Sequence, residues 1–330
     1  MVDVNLVQCM PIVLDVGTNN QSFLDDPVYK GIHEKRLRGP EYGELVGELL
    51  SAVRGWNAHT LLQFEDFGNT NAFCLLEKYT PIQCCFNDDI HGIACITLAG
   101  LLPALRITKV RLKDQKILFL GAGEAGTGIG QLIATAIETS STLTKREALR
   151  KCFYMDSHSL VVASRRKVVF ASDSLFLSLK GPDGKIYHPA QANNAYVFGP
   201  IGQVALLTNC KHITDKVFTV AANTLAGLVW DGTLESGMLF PTISEMKTLV
   251  VSLIAGIAEF MVSSGLGTKP EGVTAWEPYI KSQTYVSKVF GRSLTVKVAS
   301  TPVLEVHHQD MQELVMLWHM DSDIQRYLFL

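Results

Sequence analysis

Short apolar runs alternate along this chain with segments of helical periodicity, a pattern that predicts an α/β fold. CMPIVLDVGTNN (9–20) is apolar and β-branched and closes on Gly-Thr-Asn-Asn, so it predicts a buried strand. EYGELVGELLSAVRGW (41–56) predicts an amphipathic helix. TLLQFEDF (60–67) predicts a second strand with its acids at the C-terminal end, and FNDDI (86–90) repeats that arrangement. Open α/β sheets bind ligands at the carboxyl ends of their strands, which is where both acidic motifs fall. HGIACITLAGLLPALRI (91–107) is apolar over about four helical turns. Pro103 inside it predicts a kink or an early stop, because it removes a backbone donor and clashes with the preceding turn.

KILFLGAGEAG (116–126) then predicts a strand and turn, with TGIGQLIATAIE (127–138) as the helix behind it. TKREALRKC (144–152) predicts a short helix opened by a capping box, Thr144 with Glu147. CFYMDSHSLVV predicts a strand ending at Asp156, and SRRKVVFASDS (164–174) a further strand with no helix between them. GPDGKIYHPAQANNAYVF (181–198) predicts a loop. Helices follow over 201–265, the last long one opened by a second capping box, Thr242 with Glu245. From 290 onward no clear periodicity is left.

Composition narrows the class. The 330 residues, 47% of them hydrophobic, suffice for a sizeable core in two domains. A net charge of −3 carries no basic footprint, which argues against nucleic acid as a partner. The seven cysteines lie mostly in apolar runs, include the adjacent Cys84 and Cys85, and lack CxxC spacing. That usage predicts neither a disulfide framework nor a zinc site, and it fits a reducing compartment. The first residues lack a basic n-region, and Leu249–Val262 is an apolar run interrupted by Glu259 and shorter than the roughly 20 residues a bilayer requires. The expectation is a cytoplasmic location with no membrane partner.

Two kinds of chemistry stand out. GAGEAG places Gly121, Gly123 and Gly126 at GxGxxG spacing, with Glu124 and Ala125 between them, after a clean strand and before an apolar helix. The glycines allow a tight turn, close approach of a pyrophosphate and close packing, with the helix N-terminus facing the anion. An ordinary strand-to-helix turn is the plain alternative. Asp156 stands 35 residues beyond Gly121, where about 20 is usual for the ribose-binding acid. The intervening TKREALRKC helix accounts for the excess. Asp156 favours NAD, whereas His158, Arg165, Arg166 and Lys167 favour the 2′-phosphate of NADP. The spacing leaves both open.

Glu65, Asp66, Asp88 and Asp89 supply hard oxygens at two strand ends, suited to Mg²⁺ or Mn²⁺. Their plain alternative is helix N-capping toward water. Asn193 and Asn194 are adjacent amides whose plain reading is turn formation. His91, His188, His307 and His308 have no metal-ligand spacing and read as structural or surface residues. A divalent metal beside a nicotinamide cofactor points to oxidation of a hydroxy acid.

These motifs together resemble the malic enzymes. The resemblance covers residues 6–285 and rests on PIVLDVGTNN, DDPVYKGI, QFEDFGNTNAF, FNDDIHGIA, LFLGAGEAGTGI, MDSHSLVV, VVFAS and NNAYVF. It implies metal-dependent oxidative decarboxylation of L-malate to pyruvate and CO₂ with reduction of NAD or NADP. Glu65, Asp66 and Asp89 match the family's metal ligands, and Asp88 matches the neighbouring acid that orients the site. Asn193 and Asn194 match amides that contact malate or the nicotinamide, and Gly121 to Gly126 match the pyrophosphate turn. The implied layout is discontinuous. Residues 1–88 and 194–285 form a malate and metal domain, 89–193 a shortened Rossmann-like NAD(P) domain, and 286–330 a divergent tail. Homodimers or tetramers are implied as well. The family's acid tyrosine and base lysine match nothing here, and several tens of residues between Arg165 and Val168 are missing. The resemblance therefore also admits a non-catalytic homologue that only binds metal or nucleotide, or docks on a full-length partner.

Overall fold

The computed structural model describes residues 9–120, 123–155 and 191–284, with the short segments 179–180, 186–187 and 304–305. Residues 9–20 form neither strand nor helix, contrary to the strand expected from their apolar pattern. Two backbone bonds tie the segment down, Thr18 N to Glu34 O at 2.9 Å and Leu37 N to Val16 O at 2.8 Å. Val13 is 86% exposed, and Met10 and Ile12 are exposed with it. A run of this kind becomes a strand only where a sheet offers it a continuous ladder; here it has two backbone bonds, and only Leu14 and Val16 of its apolar side chains pack on the smaller core. α1 (Gln21–Leu24) follows, capped by the Asn20 side chain. In α2 (Pro40–Trp56), Pro40 takes the first turn and Tyr42, Val46, Leu50 and Val53 form the buried stripe.

β1 (Leu62–Phe64), α3 (Asn69–Tyr79) and β2 (Cys85–Asn87) make a βαβ unit. The strands are parallel, with Leu62 opposite Cys85, Gln63 opposite Phe86 and Phe64 opposite Asn87. Tyr42, Val46 and Leu50 of α2 join Phe64, Leu75, Tyr79 and Cys85 in the smaller of two cores. A single π-helical turn, Asp88–Gly92, then runs directly into α4 (Ile93–Thr108).

α4 passes through Pro103 without stopping. An interior proline costs a helix about 3 kcal/mol, but nearly every residue from Ile93 to Leu105 is buried, and that packing outweighs the local penalty. The helix from Asp88 to Thr108 is long and apolar enough to cross a membrane by length and composition, and it extends further than the run at 249–262. Of its apolar window, 78% is buried inside the fold, as in a core helix.

β3 (Ile117–Leu120), α5 (Glu124–Ser140), α6 (Lys145–Leu149) and β4 (Cys152–Met155) form a second parallel unit, with Leu120 opposite Met155. The expected capping box opens α6, with Thr144 and Glu147 bonded reciprocally. β5 (Leu179–Lys180), just before the expected loop, and β6 (Ile186–Tyr187), inside it, pair antiparallel. α7 (Phe198–Leu207), α8 (Asp215–Gly227), α9 (Asp231–Glu235) and α10 (Ile243–Ser263) are the expected helices, α10 opening on the Thr242–Glu245 capping box. α11 (Trp276–Gln283) and β7 (Leu304–Glu305), which runs parallel to β5, had no clear signal in the pattern. The strand expected in 164–174 lies outside the described residues.

α4, α5, α7, α8 and α10 share the larger core, around fully buried Phe86, Phe218 and Phe240. Two close approaches position the site. A Cβ at Gly100 would come within 2.6 Å of the Phe240 ring, and one at Gly128 within 2.7 Å of the Ile90 carbonyl oxygen. The first turns of α5 therefore lie directly on the π turn. Gly128→Ala should destabilise the protein by about 1–3 kcal/mol in chemical denaturation. Gly227→Ala faces open space and should be neutral or stabilise by up to about 1 kcal/mol.

Candidate metal centre

The parallel register of β1 and β2 builds the site. Because Phe64 lies opposite Asn87, the residues that leave the two strands next are Glu65 and Asp66 on one side and Asp88 and Asp89 on the other. The backbone N–H of Asp66 donates to Asp89 Oδ2 at 2.7 Å. Asp66 makes this bond from the left-handed region, at φ 58°, which a short acidic side chain tolerates better than most. One carboxylate oxygen each from Glu65, Asp66 and Asp89 can be chosen so that all three lie within 4.8 Å of one another. Opposite oxygens around an octahedral Mg²⁺ are separated by about 4 Å, so hard acidic donors stand here at nearly the required spacing.

Asp88 is 1% exposed, and its carboxyl lies in side-chain contact with that of Glu65. Its Oδ2 accepts from Asn194 Nδ2 at 2.7 Å, and its Oδ1 is buried with no hydrogen-bond partner among the described residues. Gly92 makes room for this carboxylate, since a Cβ there would collide with Oδ1. Asn87, fully buried, accepts from Ile90 N at 2.9 Å and so caps the π turn. The His91 ring stacks on Phe218, centroids 4.7 Å apart, with Nδ1 3.2 Å from Asn87 N. Burial holds the imidazole below its ordinary range and hence neutral. His91 is a packing residue, in keeping with its lack of ligand spacing.

Asp88 is buried and Asp89 half-buried, while Glu65 and Asp66 are open to solvent, and the charges of the cluster repel one another. Burial and then the charges of Glu65 and Asp89 push the Asp88 carboxyl up to about 8. Glu65 keeps an open edge to solvent, yet the surrounding protein removes enough water that this loss, with the charge of Asp89, raises it to about 7. Asp89 is raised by burial, partly offset by the Asp66 N–H. Glu124, at the start of α5, is raised by burial and then by Asp89 and Asp66. The second residue of the GEAG stretch thus feels the acidic cluster. Sequence reading assigned Glu124 to the cofactor turn and did not see this coupling.

Of the turn itself, Gly123 is the N-cap of α5, and Glu124, Ala125 and Gly126 form its first turn. Gly121 and Asp156 lie outside the described residues. Asn193 and Asn194 part company. Asn193 Oδ1 accepts from Ala195 N at 2.9 Å, a local turn, while Asn194 reaches the acids. The Asn194–Asp88 contact joins residues 106 apart, and no local pattern announces it.

Fold and site together define an α/β protein with an acidic centre set against the strand β3 and the helix α5 that flank a glycine motif. The sequence profile of the malic enzyme N-terminal domain matches residues 1–80, and that of the malic enzyme NAD-binding domain matches 90–169 and 163–262. NADP-dependent malic enzyme of Sus scrofa is 32% identical over 364 aligned positions, covering 86% of this chain and 65% of that protein. The Homo sapiens enzyme is 31% identical, with 85% and 63% covered. The crystal structure of Entamoeba histolytica malic enzyme superposes with a TM-score of 0.58 at 17% identity, over 83% of this chain and 65% of that one. The chain belongs to the malic enzyme family, and its fold is the family's, with a Rossmann-like NAD-binding part.

The chain spans just under two thirds of the length of these mammalian relatives. The alignment to the pig enzyme is longer than the 330 residues of this chain, so it includes positions where only the relative has residues. The NAD-binding profile matches in two pieces that meet at 163–169, the place where the sequence runs from Arg165 almost directly into Val168.

The raised carboxyls fix the sign of a pH effect. Asp88 and Glu65 hold their protons more tightly folded than unfolded, so their contribution to stability is complete below their ordinary values of 3.8 and 4.5. It is lost as pH rises through about 7 and about 8. In chelator, melting temperature should fall from pH 5.5 to 8.5, and Asp88→Asn, which keeps an oxygen for Asn194, should flatten that slope. An unchanged slope in the variant would rule out Asp88 as its source.

Proposed function

We propose that this chain carries the metal and nucleotide elements of a malic enzyme and acts in the metal-dependent oxidative decarboxylation of L-malate to pyruvate with NADP or NAD. The observation that carries this reading is the convergence of Glu65, Asp66 and Asp89 within 4.8 Å, beside an α5 whose first turns pack on the Asp88–Gly92 turn. The fit to a divalent cation is chemical as well as spatial. Acids raised by burial and mutual repulsion, with a buried orphan oxygen on Asp88, are relieved by a hard cation.

On this reading Glu65, Asp66 and Asp89 hold Mg²⁺ or Mn²⁺. When bound, the ion would supply Lewis acidity toward the oxygens of malate. Asp88 holds a proton or a charge behind the ligands, and Asn194 fixes its carboxylate through Oδ2. Burial of Asp88 and Asn87 excludes water from that side. The α5 N-terminus at Gly123–Gly126, with no side-chain cap of its own, presents backbone N–H groups to the cofactor pyrophosphate. Residues 1–88 with 194–285 would carry the metal end and 89–193 the nucleotide end.

The test is purified chain with L-malate, Mn²⁺ and NADP or NAD, followed at the reduced-nicotinamide absorbance. Turnover should require the metal and fall by at least about 100-fold in Asp89→Ala, while cofactor binding persists. Binding of Mn²⁺ and nucleotide without turnover would instead establish a binding homologue. Mn²⁺ affinity unchanged in Asp89→Ala would remove the assigned ligand set.

A further inference from the structure

Cys84 and Cys85 are neighbours in sequence but belong to different cores. Alternation along the strand puts Cys84 in the larger core and Cys85 in the smaller one. Cys85 Sγ lies 3.8 Å from the Thr80 hydroxyl. Cys84 instead shares the larger core with Cys210, just after α7, where the two buried side chains are close enough to influence each other, and the Cys210 thiol donates to His212 O at 3.0 Å. The backbone is anchored on both sides. Leu62 N donates to Cys84 O at 3.0 Å, and Cys210 N donates to Ala205 O at 2.9 Å. A third link joins the same two segments, with His212 Nδ1 3.1 Å from Thr80 O. Two sulfurs held together by segments already joined are placed for a bond that needs no large backbone movement.

We propose that Cys84 and Cys210 form a reversible disulfide on exposure to a peroxide-class oxidant. Cys210 is the side of approach, since its neighbours Asn209, Lys211 and His212 are exposed. Its thiolate attacks one peroxide oxygen. The O–O bond breaks, a sulfenic acid forms, and the departing hydroxide takes up a proton and leaves as water. Cys84 sulfur then displaces the sulfenic oxygen, which leaves as a second water. Two thiols and one hydrogen peroxide give one disulfide and two waters, and the two electrons lost by sulfur are those gained by the peroxide. The shared contact supports this division of roles, because it holds the Cys210 thiol below its ordinary range and pushes Cys84 up. The bond would clamp the base of β2 and close a loop holding Asp88, Asp89, the glycine turn and Asn194.

The exposed Cys9 and Cys74 are first replaced by serine to suppress cross-links between molecules. The full chain is then treated with hydrogen peroxide, blocked with N-ethylmaleimide, digested without reductant and mapped by mass spectrometry. The expected result is a peptide pair joining the Cys84–Cys85 segment to Cys210, retained in Cys85→Ser, lost in Cys84→Ser and split by dithiothreitol. The melting temperature should rise by roughly 5 °C on oxidation and return on reduction. Free, alkylated Cys210 after oxidation, or a cross-link lost in Cys85→Ser, would overturn the assignment. The mapping of the chain with Cys84, Cys85 and Cys210 intact decides the matter even if Cys84→Ser does not fold.

Discussion

The site depends on one pairing, Phe64 opposite Asn87 in a parallel two-strand ladder. A parallel ladder delivers the C-terminal ends of its strands to the same edge, so whatever follows each strand is brought together without further instruction. Here acids follow both. A slip of one residue would exchange the faces of β2, turning Cys84 out of the larger core and Cys85 out of the smaller one. The two cores thus hold the register, and the register holds the acids. The proposed metal site is in this sense held by apolar packing on both sides of one short strand.

What the cores bring together, electrostatics resists. Glu65, Asp88, Asp89 and Glu124 are all raised, each first by loss of water and then, for every one of them, by the charge of another acid in the cluster. The fold accepts this strain because its stability is drawn from elsewhere, from α4, α5, α8 and α10 around Phe86, Phe218 and Phe240. Asn194 Nδ2 and the Asp66 N–H supply dipoles to two of the carboxylates. Neither neutralises a charge, which leaves that task to bound protons or to a cation.

Local chemistry was legible and tertiary consequence was not. FEDF and FNDD announced acids at strand ends, and both strands exist, with both capping boxes and the strand and helix that flank the glycine motif. The run at 9–20 failed because an apolar, β-branched pattern reports suitability for a sheet and not whether one is within reach. Pro103 failed because a local penalty was set against burial that only the packed helix reveals. Contacts between distant residues, Asn194 with Asp88 and Cys84 with Cys210, leave no trace in spacing. Gly128 was passed over for the same reason. It stands outside the GxGxxG pattern, and only the Ile90 carbonyl against its Cα explains it.

The π turn at Asp88–Gly92 has a consequence for how tolerant this centre is to change in chain length. A wide turn accommodates one more residue than an α-helical turn covering the same arc. Excising a single residue there would let α4 continue as a regular helix, with every buried side chain from Ile93 onward undisturbed. Everything upstream of the cut would swing by about 100° around the axis. Asp88 would leave its niche and Asp89 would lose the Asp66 amide. Substitutions and deletions therefore differ in kind at this point: the first edit the chemistry residue by residue, whereas the second would re-aim the whole acidic set while leaving an intact hydrophobic interior behind.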